Sequence, residues 1–321
     1  MPSLKSQLLF FTMRNSHLLK FRLKREAWDW NTSVPQFRQD CEDGAARFGK
    51  LPEGIEVKPA LIEGLPQGLA AEWILPAGSE SGKTIFYVHG GGYISGSCSD
   101  HRVAVSKIVK ESGIKALLYE YRLAPEHPFP AALEDSLTAY RWVLSQGISP
   151  ANIVIAGESA GGGLTLALLL ELRDQGIPLP AAAVAISPMT DLKLTGESYR
   201  TKAKVCLSPK GMAMVCSKYY AGENDPGLPG ISPLYGDLHG LPPILIVAGE
   251  DDTLLDDSTR FAAKAQAAGV KVNLILGKRM VHCYPLLAPL FPEAIQALQE
   301  ICAFIQDAIR QEEKNAVVQP A

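Results

Sequence analysis

A chain of 321 residues with 47% hydrophobic side chains carries enough apolar material for one large α/β domain with a smaller elaboration, and its composition excludes global disorder. Its 31 basic and 34 acidic residues leave a formal charge of -3, which gives no basis for expecting nucleic acid as a partner. The six cysteines, Cys41, Cys98, Cys206, Cys216, Cys283 and Cys302, are too scattered for a metal knuckle or a disulfide framework, so reduced thiols are expected.

The first 50 residues read as helical, with aromatic anchors at Trp28 and Trp30. Charge is uneven here: Lys5, Arg14, Lys20, Arg22, Lys24 and Arg25 stand in residues 1–25 without one Asp or Glu. A solvated or cap-forming helix is the plain reading, and weak contact with an anionic membrane surface is the alternative. The apolar run at residues 8–11 is too short for a secretory signal core, and no stretch is long enough to cross a bilayer. A cytoplasmic location is expected.

Strands are expected at 55–64, 70–78 and 84–88, the last leading into a glycine loop, His89-Gly90-Gly91-Gly92. A helix over 102–112, a strand over 115–121 and a proline-rich turn at 124–130 follow. A helix over 131–145 then precedes a strand at 153–157. Residues 160–173 read as a helix, 181–187 as a buried strand, 243–249 as another, 256–268 as a helix, 270–276 as the last strand and 292–311 as a C-terminal helix. Strands alternating with helices imply a mainly parallel sheet covered on both faces. The interval 188–242 breaks that rhythm with turns and a helical patch near Met212 to Tyr220. The expected division is an N-terminal cap segment at 1–50, a core at 51–187, a cap-associated insertion at 188–242, and core plus C-terminal helix at 243–321.

Gly157-Glu158-Ser159-Ala160-Gly161 has the form Gly-x-Ser-x-Gly, at the junction of an expected strand and helix. A sharp turn there would hold the Ser159 hydroxyl clear of the backbone as a nucleophile, whereas the bland alternative is a small residue used for close packing. Of six histidines, His282, in a loop beyond the last strand, is the candidate base. His89 reads better as an organiser of the glycine loop, and His127 as a structural residue buried among Pro125, Pro128 and Pro130. After the strand ending at Gly249 the chain reads Glu-Asp-Asp-Thr-Leu-Leu-Asp-Asp. Asp252 is the expected partner of His282, with Asp251 its close competitor. Asp256 and Asp257 read as charges serving the first turn of a helix. The N–H groups of Gly91, Gly92 and Ala160 could receive the negative oxygen formed during acyl transfer. A phosphate cradle is the alternative for the glycines, but the Walker lysine is missing and neither glycine pattern fits a dinucleotide fingerprint.

With these residues the chain resembles the hormone-sensitive-lipase-like branch of the α/β-hydrolases, the bacterial family IV esterases. The resemblance runs over about residues 55–310 and rests on His89 to Tyr93, Tyr119 to Asp135, Gly157 to Gly162, Asp252 to Asp257, and His282. It implies an eight-stranded, mostly parallel sheet with a helical cap, and a serine carboxylesterase without metal or organic cofactor. The expected substrates are short- to medium-chain acyl esters, with water as the second reactant and a homodimer compatible with the reading. Two positions depart from the family pattern: Thr253 stands where proline is common, and Cys283 where glycine is common. A ligand-binding relative that has abandoned hydrolysis and an amide or carbamate hydrolase remain the competing classes.

Overall fold

The computed structural model describes residues 2–15, 27–78 and 82–318. His17, Lys20, Arg22, Lys24 and Arg25 therefore lie outside the described residues. Eight strands form one sheet: β1 (Ile55–Ile62), β2 (Leu69–Pro76), β3 (Thr84–Val88), β4 (Lys115–Tyr119), β5 (Ile153–Glu158), β6 (Ala182–Ile186), β7 (Ile244–Gly249) and β8 (Val272–Gly277). Their spatial order is β1-β2-β4-β3-β5-β6-β7-β8. β2 runs antiparallel to both β1 and β4, and every other pairing is parallel. The central strands Thr-Ile-Phe-Tyr-Val and Ile-Leu-Ile-Val-Ala-Gly are buried at every residue, as strands covered on both faces must be.

The helices are α1 (Leu4–Arg14), α2 (Val34–Phe48), α3 (Cys98–Ser112), α4 (Ala131–Ser145), α5 (Ala160–Asp174), α6 (Ser198–Thr201), α7 (Met212–Ala221), α8 (Leu255–Ala267) and α9 (Pro292–Val318). Two apolar layers sandwich the sheet. Leu164, Leu168 and Leu172 of α5 join Phe261 of α8 and Tyr140 of α4 on one face, while Ile108 of α3 joins Phe291, Ile301 and Ile305 on the other. The helix expected from residue 102 begins four residues earlier. Ser97 Oγ accepts from the Asp100 N–H, and the Asp100 carboxylate accepts from the Ser97 N–H, a capping box that starts α3 at Cys98.

The N-terminal segment and the interval between β6 and β7 meet. The Trp28 N–H donates to the Lys210 carbonyl at 2.8 Å. Trp28 packs edge-on against Phe37 and shares a small apolar cluster with Val34, Ile94, Ala124, Val215 and Cys216. At the other end of this segment Phe10 of α1 meets Phe291, the residue before α9, edge-to-face, with centroids 5.2 Å apart. No helix among the described residues is long and apolar enough to cross a membrane, and no disulfide joins the six cysteines.

Candidate active site

β5 ends in a turn tight enough to force Ser159 to φ 55° and ψ -121°. A non-glycine residue reaches that region only when its surroundings impose it. Three backbone hydrogen bonds do so here: the Ser159 N–H donates to Ile186 O at 2.8 Å, and the Ser159 carbonyl accepts from Gly163 and Met189 at 3.0 Å each. A Cβ at Gly161 would strike the carbonyls of Val88 and His89, so glycine there lets α5 press against β3. The serine side chain is thereby delivered to the carboxyl end of the sheet, where α/β folds place their ligand crevices.

His282, in the loop after β8, also reaches this end of the sheet. Its Nδ1 donates to Asp252 Oδ2 at 2.8 Å, which leaves Nε2 as the other nitrogen of the ring. Asp252 is fully buried, and its second oxygen accepts from the Leu254 N–H at 3.0 Å. Asp251 points elsewhere and pairs with Arg14 of α1 at 2.8 Å. Burial alone would lower the His282 pKa, but the facing Asp252 carboxylate outweighs it and lifts it well above the ordinary histidine value. Burial would raise Asp252, yet His282 and the hydrogen bonds it accepts leave its pKa below the usual carboxylate range. Cys283 occupies the left-handed region at φ 50°, which explains why glycine suits that position, and its N–H donates to Ser187 Oγ at 3.1 Å.

Ser159, His282 and the glycine loop border one cavity of about 610 Å³, whose apolar wall includes Met189, Leu194, Met212, Met214, Leu254 and Leu286. Within the loop the Gly90 N–H is spoken for, donating to Glu158 Oε1 at 2.7 Å. Among the described residues the Gly91 and Gly92 N–H groups donate to nothing. Gly92 has φ 67°, and a Cβ there would fall on Cys216 Sγ of α7. Next to it Tyr93 stacks on Tyr220, also of α7, with centroids 3.7 Å apart and planes 5° from parallel. His89 is buried behind this loop, stacked on Tyr121 at 4.1 Å, with Nδ1 2.8 Å from the Gly90 carbonyl. Burial pushes its pKa down to about 4, so the ring is neutral. Among the described residues no group of three His, Cys, Asp or Glu is arranged to hold a metal ion.

Comparison with known proteins adds kinship to this geometry. Residues 85–286 match the family described as alpha/beta hydrolase fold. An acetyl-hydrolase of Streptomyces hygroscopicus is 42% identical over 240 residues, covering 74% of this chain and 80% of that protein. An esterase of Acinetobacter venetianus is 38% identical over 252 residues, covering 78% and 82%. The crystal structure of an esterase from the bacterial hormone-sensitive lipase family superposes with a TM-score of 0.86 at 37% identity, covering 96% of this chain and 99% of that one. The chain belongs to the α/β-hydrolase-fold family. Within it, the protein is closely related to the bacterial hormone-sensitive-lipase-family carboxylesterases, and it is an esterase of the serine-hydrolase type.

Two expectations about the esterase's polar residues need correction. His127 is exposed, as are its neighbours Pro125 and Glu126, so the prolines of this turn do not bury it. Asp256 and Asp257 do lie in the first turn of α8, but their carboxylates reach across to the segment after β6. Asp256 accepts from the Ser198 N–H at 2.9 Å, and buried Asp257 accepts from Thr190 and Asp191 at 2.8 and 2.9 Å. Burial pushes the Asp257 pKa up to about 8.

One part of the esterase's site escaped sequence reasoning. His101, in the first turn of α3, lines the same cavity and stands between two carboxylates. Its Nε2 lies 2.9 Å from Glu158 Oε1, and its Nδ1 hydrogen-bonds Asp100. The Ser97/Asp100 capping box was the available signal, since it starts α3 directly after the glycine loop and brings His101 to that loop.

Proposed function

We propose that this esterase hydrolyses short- to medium-chain acyl esters, with Ser159 as nucleophile, His282 as general base and acid, and Asp252 as the carboxylate that orients the imidazole. The observation that carries the reading is the 2.8 Å contact from His282 Nδ1 to Asp252, with His282 and Ser159 bordering one cavity. In the first half of the cycle Ser159 Oγ attacks the ester carbonyl carbon while His282 Nε2 takes the hydroxyl proton. The carbonyl oxygen becomes negative and is received by the N–H groups of Gly91, Gly92 and Ala160. Collapse breaks the bond to the alcohol oxygen, which leaves with the proton from His282. In the second half water, deprotonated by the same imidazole, attacks the acyl-serine ester, and the acid departs as Ser159 regains its proton.

The chain-length assignment is supported by the cavity of about 610 Å³ and its methionine and leucine wall. We assign residues 1–50 and 188–242 to the cap, on the Trp28 to Lys210 hydrogen bond and the shared cluster of Trp28, Val34, Val215 and Cys216. A reducing, cytoplasmic setting suits the six cysteines, none of them in a disulfide. The deciding experiment is a panel of acetate, butyrate, octanoate and decanoate esters with matched amides. Preference for butyrate or octanoate esters is expected. Amide turnover equal to ester turnover would move the enzyme to another class of acyl hydrolase.

A weak membrane-surface contact has one observation in its favour. Leu4, Leu8 and Phe11 on α1 are 85%, 69% and 66% exposed, beside Lys5. Salt-sensitive co-sedimentation with anionic vesicles is the expected result, and no binding at low salt would end that reading.

A further inference from the structure

Glu158 precedes the candidate nucleophile, yet its side chain does not belong to the Ser159–His282–Asp252 line. It is buried and turns toward the glycine loop, where Oε1 accepts from the Gly90 N–H at 2.7 Å. The same oxygen lies 2.9 Å from His101 Nε2. His101 Nδ1 bonds Asp100, whose Oδ1 also accepts from the Ser97 N–H at 2.9 Å in the cap of α3. Three charged side chains therefore connect the helix following the loop, the loop itself and the turn carrying Ser159. A Cβ at Gly90 would crowd both the backbone and the carboxylate of Glu158 at 3.0 Å, so the loop sits directly on this side chain.

The charge states fit such a connection. Burial would lower the His101 pKa, but Glu158 and Asp100 on its two nitrogens carry it up to about 10, so both N–H groups are present to donate. Burial would raise Glu158, yet His101 and its other donors leave it below the ordinary carboxylate range. His89, whose ring centroid is 5.1 Å from that of His101, is neutral and adds no competing charge. Replacing His101 leaves the buried Glu158 carboxylate without its cation, and replacing Glu158 leaves His101 held by Asp100 alone, so either change loosens the Gly90 contact.

We propose that Asp100, His101 and Glu158 form one electrostatic link that fixes the Gly90–Gly92 loop in register with Ser159, making His101 and Glu158 positioning residues for ester hydrolysis. The link acts through Gly90: a carboxylate pinned by His101 holds that N–H inward and leaves the next two N–H groups facing the cavity. This inference rests on Ser159 and the loop acting as set out under Proposed function.

The test is a kinetic comparison of H101Q, E158Q and the double variant with the unmodified enzyme on p-nitrophenyl butyrate. A trifluoromethyl ketone, whose serine adduct carries the negative oxygen, serves as a second probe. Each single variant is expected to lose about tenfold to a hundredfold in kcat with KM within about twofold, less than outright removal of an oxyanion donor costs. Ketone affinity should fall in the same proportion, and the double variant should lose no more than the worse single, because the residues act as a unit. Folded H101Q and E158Q with unchanged kcat and ketone affinity would overturn the inference, as would losses confined to KM or multiplying in the double variant. Should H101Q fail to fold, D100N and E158Q carry the same comparison. S159A is measured alongside. Ester turnover by folded S159A would sink the functional reading itself, whereas an inert S159A beside fully active H101Q and E158Q would sink only this link.

Discussion

Arg14, the last residue of α1, pairs with Asp251 at 2.8 Å, while the next residue along, Asp252, accepts from His282 at the same distance. Two adjacent carboxylates thus serve different ends, one tying the N-terminal helix to the sheet and the other facing the imidazole. D252N is expected to lower kcat by two to four orders of magnitude, approaching the roughly ten-thousandfold loss known for an equivalent protease substitution. D251N should lower it by less than about fivefold while reducing thermal stability slightly, as expected for a partly exposed ion pair. Steady-state kinetics and thermal melts of both variants check this, and the reverse ranking would move the role to Asp251.

The pH profile should carry the signature of the same pair. A base must be neutral, and Asp252 raises the His282 pKa, so the acidic limb of kcat/KM is expected above the ordinary histidine value of about 6.5. In D252N the limb should move downward, since the main charge opposing burial is gone, although the remaining rate is low. Stability follows the same linkage with opposite signs for the partners. The raised histidine contributes stability that is complete below its unfolded pKa and lost as pH climbs through the folded one. The depressed carboxylate contributes stability present above its unfolded pKa and lost as pH falls through its folded one. The pair therefore stabilises the fold most between the carboxylate and histidine ranges, and denaturant titrations of D252N across pH should show that maximum flattened.

Gly92 should tolerate no side chain. Its φ of 67° is strained for L-residues and its missing Cβ is where Cys216 Sγ sits. G92A is expected to lose most activity. Adding C216A should restore part of it by removing the sulfur, but not all, because the backbone strain remains. An unimpaired G92A would show that the loop and α7 separate easily.

Removal of residues 1–40 should be costly. It strips out Phe10, Trp28 and Val34, all buried, and side chains of this kind are worth about 1.5–3 kcal/mol each when fully buried. A marked fall in melting temperature and an altered chain-length profile are expected. A truncated enzyme unchanged in both would reduce the segment to a peripheral tail.

The sheet was readable because its central strands are short, wholly buried runs, apolar but for Thr84 and Glu158 and separated by helix-length intervals, a pattern that burial on both faces enforces. Ser159 and His282 could be singled out because one lies in a glycine-spaced turn and the other in a loop at the same end of the sheet. Other relationships depend on folded geometry that no local pattern encodes. Whether Asp251 or Asp252 faces His282 depends on which way a loop residue points, and Arg14, 237 positions away, occupies Asp251. Asp257 looked like a helix-end charge but serves backbone N–H groups 66 and 67 residues earlier. His101 by itself carries no local signal, because its meaning comes from Glu158, far along the chain, and from a capping box that starts α3 at Cys98.

The contact of Gly92 with Cys216 and the stack of Tyr93 on Tyr220 give α7 a second office. α7 forms part of the wall of the cavity that Ser159 borders through Met212 and Met214, and through its other residues it is the surface against which the glycine loop is seated. A chimera that borrowed residues 188–242 from a relative to change acyl preference would bring in one half of a fitted joint. Selectivity and speed would then shift together, unless the residues at 92 and 93 were exchanged along with the donor's helix.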